Sequence, residues 1–315
     1  MIPQPVIDSR TAQEFQEKFH HAVAFITGGA SGLGFAQAEL LGALGCRVVL
    51  ADVQQDALDV AGKRLRAENV EVVTVLLDVR DRSAYAAAGQ RVYEHFGQFP
   101  RLLFNTAGVN GFGPIQNASY NDFDWIMGVN LHGVINGIQT FLPMMLEQND
   151  PAWIVTTGSM AGFMGSASAG IYAATKAAVF SLMESYDKTL PDQGVGVSIV
   201  CPASIRSNIA DTLDTRPSEF AKKSSFNNDP EFIKLQRQLY SSGMAPLQLA
   251  AHVVEGIVQN RLYIVPFTET RDGLKQYFDN IIEAFDSYGS PDRDAQRRAA
   301  DFLEYQQAVA TIQQS

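Results

Sequence analysis

Three side chains able to move a proton fall close together in the run S-M-A-G-F-M-G-S-A-S-A-G-I-Y-A-A-T-K: Ser159, Tyr172 and Lys176. The periodic Ala, Thr, Lys and Leu residues predict a helix from Ile171 to Leu190. Tyr172 and Lys176 stand four apart on it and share one face. Ser159 follows W-I-V-T-T (Trp153 to Thr157), an apolar, β-branched run that reads as a buried strand. A phenol, an ammonium and a hydroxyl converging at a strand's carboxyl end suit general acid–base work on an alcohol or a carbonyl. Bringing a phenol from a pKa of about 10 toward 7 needs about 4 kcal/mol of phenolate stabilisation, and Lys176 is one source. Each residue also has an ordinary role: a loop hydroxyl, a half-buried phenol, a lysine with a packed stem. Their joint order favours the chemical reading.

Strand-like and helix-like runs alternate from Val23 to Val200. Short apolar strands are predicted at Val23–Thr27, Arg47–Ala51, Val70–Leu77, Arg101–Phe104, Trp153–Thr157 and Val195–Cys201, with Leu262–Pro266 as a last one. Helices are predicted at about 55–68, 83–96, 122–146 and 171–190. Near-continuous apolar strands separated by helices imply an α/β fold, a doubly wound parallel sheet of about seven strands covered on both faces. Residues 1–22 read as an N-terminal arm with a turn or two of helix, and about 203–246 as a lid. Two amphipathic helices are expected in the tail, near 273–286 and 292–312. The chain thus divides into a single domain over 1–266 and a helical extension over 267–315 packed on it.

The turn T-G-G-A-S-G-L-G (Thr27 to Gly34) joins the first strand to a helix. Gly28, Gly32 and Gly34, with Ser31 and Leu33 between them, let backbone and a helix N-terminus approach a pyrophosphate. Asp52, at the second strand's end, suits the two hydroxyls of an adenosine ribose, and its charge opposes a 2′-phosphate. No Arg or Lys stands at Ser31 or Val53, so NAD is expected over NADP. Asp52 equally suits a helix cap. Asp78 and Val79 should flank the adenine, although Asp78 also suits capping of the next helix. Asn105 to Gly108, N-T-A-G, should place a tight turn beside the cofactor.

Composition excludes several classes. Of the 315 residues 46% are hydrophobic and 18% charged, the net charge is −10, and no basic run occurs, which argues against nucleic acid and anionic membranes. Two cysteines, Cys46 and Cys201, and five scattered histidines offer no metal-ligand spacing and no evident disulfide. No secretory signal and no membrane-spanning run are visible, so a cytoplasmic location is expected.

Together T-G-G-A-S-G-L-G, Asp52, N-T-A-G, Asn130 in G-V-N-L, Ser159 and Y-A-A-T-K resemble the short-chain dehydrogenase/reductase family over roughly residues 20–266. Two departures stand out: N-T-A-G for the family's N-N-A-G, and Pro202-Ala203 for its Pro-Gly. The resemblance implies hydride transfer to a nicotinamide with Tyr172 as general base, Ser159 on the substrate oxygen and Lys176 on the nicotinamide ribose. It also implies that Asn130 helps bind a water reaching Lys176. Ala107, Gly108, Pro202, Ala203, Ile205 and Ser207 would complete the cofactor site, and the oxidised nicotinamide would be the second source of phenolate stabilisation. Several segments, among them N-T-A-G-V-N-G-F-G-P-I, G-F-M-G-S and I-R-S-N-I-A, are similar to bacterial Cα-dehydrogenases of lignin-derived aryl ethers, which oxidise a benzylic secondary alcohol with NAD. Phe112, Phe163, Met164 and Ile209 are then the expected substrate wall. A carbonyl reductase, a hydroxyacyl or hydroxysteroid dehydrogenase, and a non-catalytic NAD sensor are the alternatives. The family also implies a homodimer or homotetramer.

Overall fold

The computed structural model describes residues 7–220, 226, 229–286 and 295–313. Parts of three expected features lie outside them: positions 1–6 of the arm, 221–225, 227 and 228 of the lid, and 292–294 of the second tail helix. The chain forms two compact units, Met1–Pro266 and Phe267–Ser315.

In the first unit the strands β1 (Val23–Thr27), β2 (Arg47–Asp52), β3 (Val72–Leu76), β4 (Leu102–Asn105), β5 (Ala152–Thr157), β6 (Val195–Val200) and β7 (Tyr263–Ile264) form one parallel sheet in the order β3-β2-β1-β4-β5-β6-β7. The helices that cross between them are α2 (Gly32–Ala43), α3 (Gln55–Ala67), α4 (Arg82–Phe96), α5 (Tyr120–Met127) with α6 (Gly133–Gln148), and α7 (Gly170–Asp187). The lid helix α8 (Pro230–Ser241) and then α9 (Pro246–Val258) precede β7, and α1 (Ser9–Phe19) leads into β1. All five residues of β1 are buried, as expected of a strand covered on both faces. The strand order reverses between β1 and β4, which opens a crevice at their carboxyl ends.

Three elements differ from the sequence expectation. The arm carries a full helix of 11 residues, α1, capped by Asp8 through Thr11 N, with Phe15 and Phe19 buried. The long helix at 122–146 is two helices joined by a π-helical turn, Gly128–His132, which contains Asn130. The lid is largely ordered as short helical turns at Ile209–Thr215 and Ser218–Phe220, followed by α8. Its two ends are pinned together where Arg206 N donates to Met244 O (3.0 Å) and Met244 N to Ser204 O (2.9 Å).

The second unit contains α10 (Arg271–Asp286) and α11 (Ala295–Gln313).

The turn after β1 is the tightest point of the scaffold. Gly28 and Gly32 have φ of +64° and +52°, and a Cβ on Gly34 would lie 2.2 Å from the Gly28 carbonyl oxygen. That oxygen is backbone and cannot swing aside. Gly34→Ala should therefore lower Tm by at least about 4 °C, as a loss of about 2 kcal/mol would in a unit of this size. A thermal melt checks it.

Candidate active site

A cavity of about 770 Å³ opens at the carboxyl ends of the strands. On the β1 side its wall contains Gly28, Ser31, Gly32, Leu33, Gly34, Asp52, Asp78, Val79, Ala107 and Gly108, and beyond β6 it contains Pro202, Ala203, Ile205 and Ser207. The Asp52 carboxylate accepts from Ala30 N (3.2 Å) and Gln54 N (3.1 Å), so it braces the glycine turn while facing the cavity. Burial raises its pKa, and those backbone donors oppose the rise. Glycines where a Cβ would collide, a helix N-terminus behind them and a carboxylate at the next strand's end fit a dinucleotide. Ala203 does not adopt a left-handed backbone, so alanine fits there without strain.

The loop after β4 is held from two sides. Thr27 Oγ1 accepts from Thr106 N (3.0 Å) and Ala107 N (3.1 Å). Asn130, fully buried in the π turn, accepts from Val109 N (2.8 Å) and donates to Val109 O (2.9 Å) and Thr175 Oγ1 (3.3 Å). Thr106 has its own work: its hydroxyl donates to Gln37 Oε1 (2.7 Å) and accepts from Thr157 Oγ1 (3.4 Å).

Tyr172 and Lys176 lie on the inward face of α7. Lys176 is 3% exposed, and its Nζ donates to Thr157 O (2.7 Å) at the end of β5, 5.4 Å from the centre of the Tyr172 ring. Burial lowers its pKa to about 8, against a smaller opposing pull from Cys201. Ser159 accepts from Ala161 N (3.1 Å). Burial raises the Tyr172 pKa, and the neighbouring Ser159 hydroxyl offsets only part of it. In the free protein the phenol therefore stays protonated. Sequence spacing put the amine on the phenol's helix face, but desolvation weakens the charge that would pull on it.

Four expected site residues lie away from the cavity wall. Asn105 is 3% exposed and donates to Thr156 Oγ1 (3.3 Å) beneath the loop. Asn130 acts on the loop from behind: a Cβ on Gly108 would stand 3.5 Å from its Oδ1 and 3.8 Å from Lys176 Nζ. Phe163 turns away to pack edge-on against Phe180, with ring centres 4.6 Å apart. Met164 does not line the cavity either. Phe112 and Ile209 do, together with Asn110, Trp125, Thr212, Gln236 and Tyr240, which sequence reasoning missed. Asp78 does not cap α4. It is gripped by Arg80, and Asp81 supplies the cap through Ser83 N and Ala84 N.

The model of the short chain dehydrogenase family matches residues 22–218. A C alpha-dehydrogenase from Sphingobium sp. (strain NBRC 103272 / SYK-6) is 45% identical over 280 residues, 89% of this chain and 92% of that protein. The chain belongs to the short chain dehydrogenase family. Two solved structures are similar over most of the chain. The apo form of LigD from Sphingobium sp. strain SYK-6 is 42% identical, with a TM-score of 0.73 over 87% of this chain and 100% of that one. A short chain dehydrogenase/reductase from Burkholderia phymatum in complex with NAD is 36% identical, with a TM-score of 0.81 over 85% and 96%. The chain is an oxidoreductase of a family that uses NAD or NADP.

In this dehydrogenase the buried amine has a folded pKa near 8 against 10.5 unfolded. Below about pH 8 both states carry the proton, and the burial penalty is complete. Between 8 and 10.5 the unfolded state binds more protons, so stability rises with pH. Cys201, the titratable group facing the amine, is pushed up to about 12 and keeps its proton over this range. The stability difference between wild type and Lys176→Met should shift in favour of wild type by about 2 kcal/mol from pH 7.5 to 10. Denaturant titrations of the cofactor-free protein measure it. A flat difference would show that the amine is not buried as a cation.

Proposed function

We propose that this chain is an NAD-dependent dehydrogenase that oxidises a secondary alcohol on a bulky aromatic substrate, of the benzylic kind, to its ketone in a reversible reaction. The observation that carries this reading is that Tyr172 and Ser159 meet at the cavity wall, with the Lys176 amine 5.4 Å from the phenol ring. The 45% identity to a C alpha-dehydrogenase supports the substrate class, and so does a wall bearing Phe112, Trp125, Ile209 and Tyr240.

Ser159 Oγ and Tyr172 Oη hold the alcohol oxygen; beside the Lys176 ammonium and the positive charge that a bound oxidised nicotinamide would bring, the phenol loses its proton to solvent and the Tyr172 phenolate takes that of the alcohol. The nicotinamide supplies, when bound, the acceptor for the hydride. The Gly28–Gly34 turn, Asp52, Asp78, Val79, Ala107, Gly108, Pro202, Ala203, Ile205 and Ser207 hold the dinucleotide, and Lys176 its nicotinamide ribose. Asn130 fixes the loop at Val109 and helps bind a water that connects Lys176 to solvent. Met1–Pro266 is the catalytic domain. The protein works in the cytoplasm as a homodimer or homotetramer, which a light-scattering mass of a single chain would refute.

Two outcomes follow from this assignment. Tyr172→Phe keeps the ring and the packing, so NAD binding should persist while turnover of an aryl secondary alcohol falls by about 10²–10⁴-fold. Following NADH absorbance with near-normal activity in that variant would sink the proposal. Asp52 should impose at least about a ten-fold preference for NAD over NADP in kcat/KM, equivalent to about 1.4 kcal/mol. Asp52→Ser should reduce that ratio, and a wild type indifferent to the 2′-phosphate would overturn the ribose role.

A further inference from the structure

Two phenols line the cavity, Tyr172 on α7 and Tyr240 in the last turn of the lid helix α8. Both pack against one apolar cluster, Phe112, Ala169 and Ala210. Those three side chains offer neither donor nor acceptor. Tyr240 is partly buried, and among the described residues its hydroxyl has no hydrogen-bond partner. A phenol in such a place ordinarily finds one. The two phenols are neighbours, since an ionised Tyr240 would push the Tyr172 pKa up.

The end of α8 that carries Tyr240 is its tied end. Gly243 N donates to Tyr240 O (3.2 Å), Ser204 Oγ to Leu239 O (3.3 Å) and Met244 N to Ser204 O (2.9 Å). A Cβ on Gly243 would stand 2.7 Å from Ile205 N, so the chain passes close to the segment after β6. At the start of the helix Phe232 meets Phe112 nearly edge-on, with ring centres 6.2 Å apart. These attachments keep the Tyr240 ring in the cluster that it shares with Tyr172.

Neighbouring phenols do not both ionise, because the second charge would face the first at short range. The Lys176 amine, 5.4 Å from the Tyr172 ring centre, selects Tyr172 as the one that does. Burial raises the pKa of Tyr240, which therefore keeps its proton. A neutral phenol beside a phenolate is a donor, and a hydrogen bond to a charged oxygen is about twice as strong as a neutral one. We infer that Tyr240 is a positioning residue for the acid–base group: its hydroxyl donates to the Tyr172 oxygen once that oxygen is a phenolate, and holds the ionised base ready. This inference rests on the proposed role of Tyr172 as base. Because the donor belongs to the lid, the base is complete only with α8 seated. The other titratable side chains of the cavity wall are Asp52, Asp78, Arg80, Lys176 and Asp211. Arg80 holds Asp78, Arg237 holds Asp211, and Asp52 braces the glycine turn.

Tyr240→Phe removes the hydroxyl and keeps the ring. The full chain, saturated with NAD, is assayed on an aryl secondary alcohol across pH. In wild type kcat/KM should rise with pH as Tyr172 ionises. In the variant that limb should lie about one unit higher, a loss of about ten-fold below the wild-type midpoint that shrinks as pH rises. The opposite limb, on which the Lys176 ammonium loses its proton, is common to both proteins. The same upward shift should appear without turnover in the ultraviolet phenolate titration of the NAD complex. That titration is read as the difference between each protein and its Tyr172→Phe counterpart. Retained NAD binding reports that the variants fold. A uniform loss at every pH, the mark of a wall residue only, overturns the inference and leaves the dehydrogenase reading in place. An unmoved or lowered limb does the same. Absence of turnover by wild type overturns the dehydrogenase reading, and the inference with it.

Discussion

An amine withheld from water is the constraint on which the rest of the site depends. Lys176 is fixed because Thr157 is the last residue of β5, where Gly158 N still reaches Val200 O (2.7 Å) while the Thr157 carbonyl turns to the amine. That geometry requires α7 to approach the strand ends closely. Gly162 permits it: a Cβ there would stand 3.0 Å from the Lys176 carbonyl oxygen. The resulting burial depresses the amine's pKa and raises that of the phenol beside it. A pair poised in this way holds its protons until a bound molecule changes the local charge.

The same logic of reach explains why one loop serves both ends of the cavity. Residues 105–110 receive side-chain bonds from Thr27 on β1, from Asn130 on the π turn and from Thr212 on the lid. The side next to the glycine turn is set by the first, the space next to Lys176 by the second, and the side facing the lid by the third. A π turn puts one extra residue into a helical path, and that lets Asn130 face the loop from an otherwise continuous helical segment. Gly133 and Gly137 then let α6 close on Val79, Tyr85 and Asn105.

Much of this was legible in the sequence because it rests on short-range rules. The parallel strands read as apolar runs since both faces are buried, the glycine turn declared itself by composition, and Tyr172 and Lys176 by spacing. The parts that were not legible depend on where a side chain turns after the backbone is set. Phe163 and Met164 sit in the right loop, yet Phe163 finds an aromatic partner in Phe180, which stacks on Tyr263 in turn. Asn105 stands at the right strand end, but β4 is buried throughout and its amide turns to Thr156. Asp78 and Asp81 are both plausible caps by type, and Arg80 decides between them by claiming Asp78. Asn110 lies within the run N-T-A-G-V-N-G-F-G-P-I, but its place on the cavity wall is a property of the assembled structure.

The lid was read as polar and loosely patterned, and its polarity proves to be how it is attached. Arg216 pairs with Asp122 (2.7 Å) over the Trp125 ring, the two side chains being 11% and 1% exposed. Arg80 reaches Glu219 (2.9 Å) and lies over Phe220, and Arg237 pairs with the half-exposed Asp211. Exposed pairs of the last kind contribute little, whereas removing one partner of a buried pair leaves a charge that the surroundings cannot solvate. The firm part of the lid is accordingly the stretch from Ile209 to Phe220, which also carries Thr212. Helix α8 has no buried residue, so Gln236 and Tyr240 enter the cavity from an element held mainly by one face. The cavity wall near Tyr172 is therefore tied to the core through Asp122 and Asn130, whereas Gln236 and Tyr240 are carried by a helix with much less to hold it.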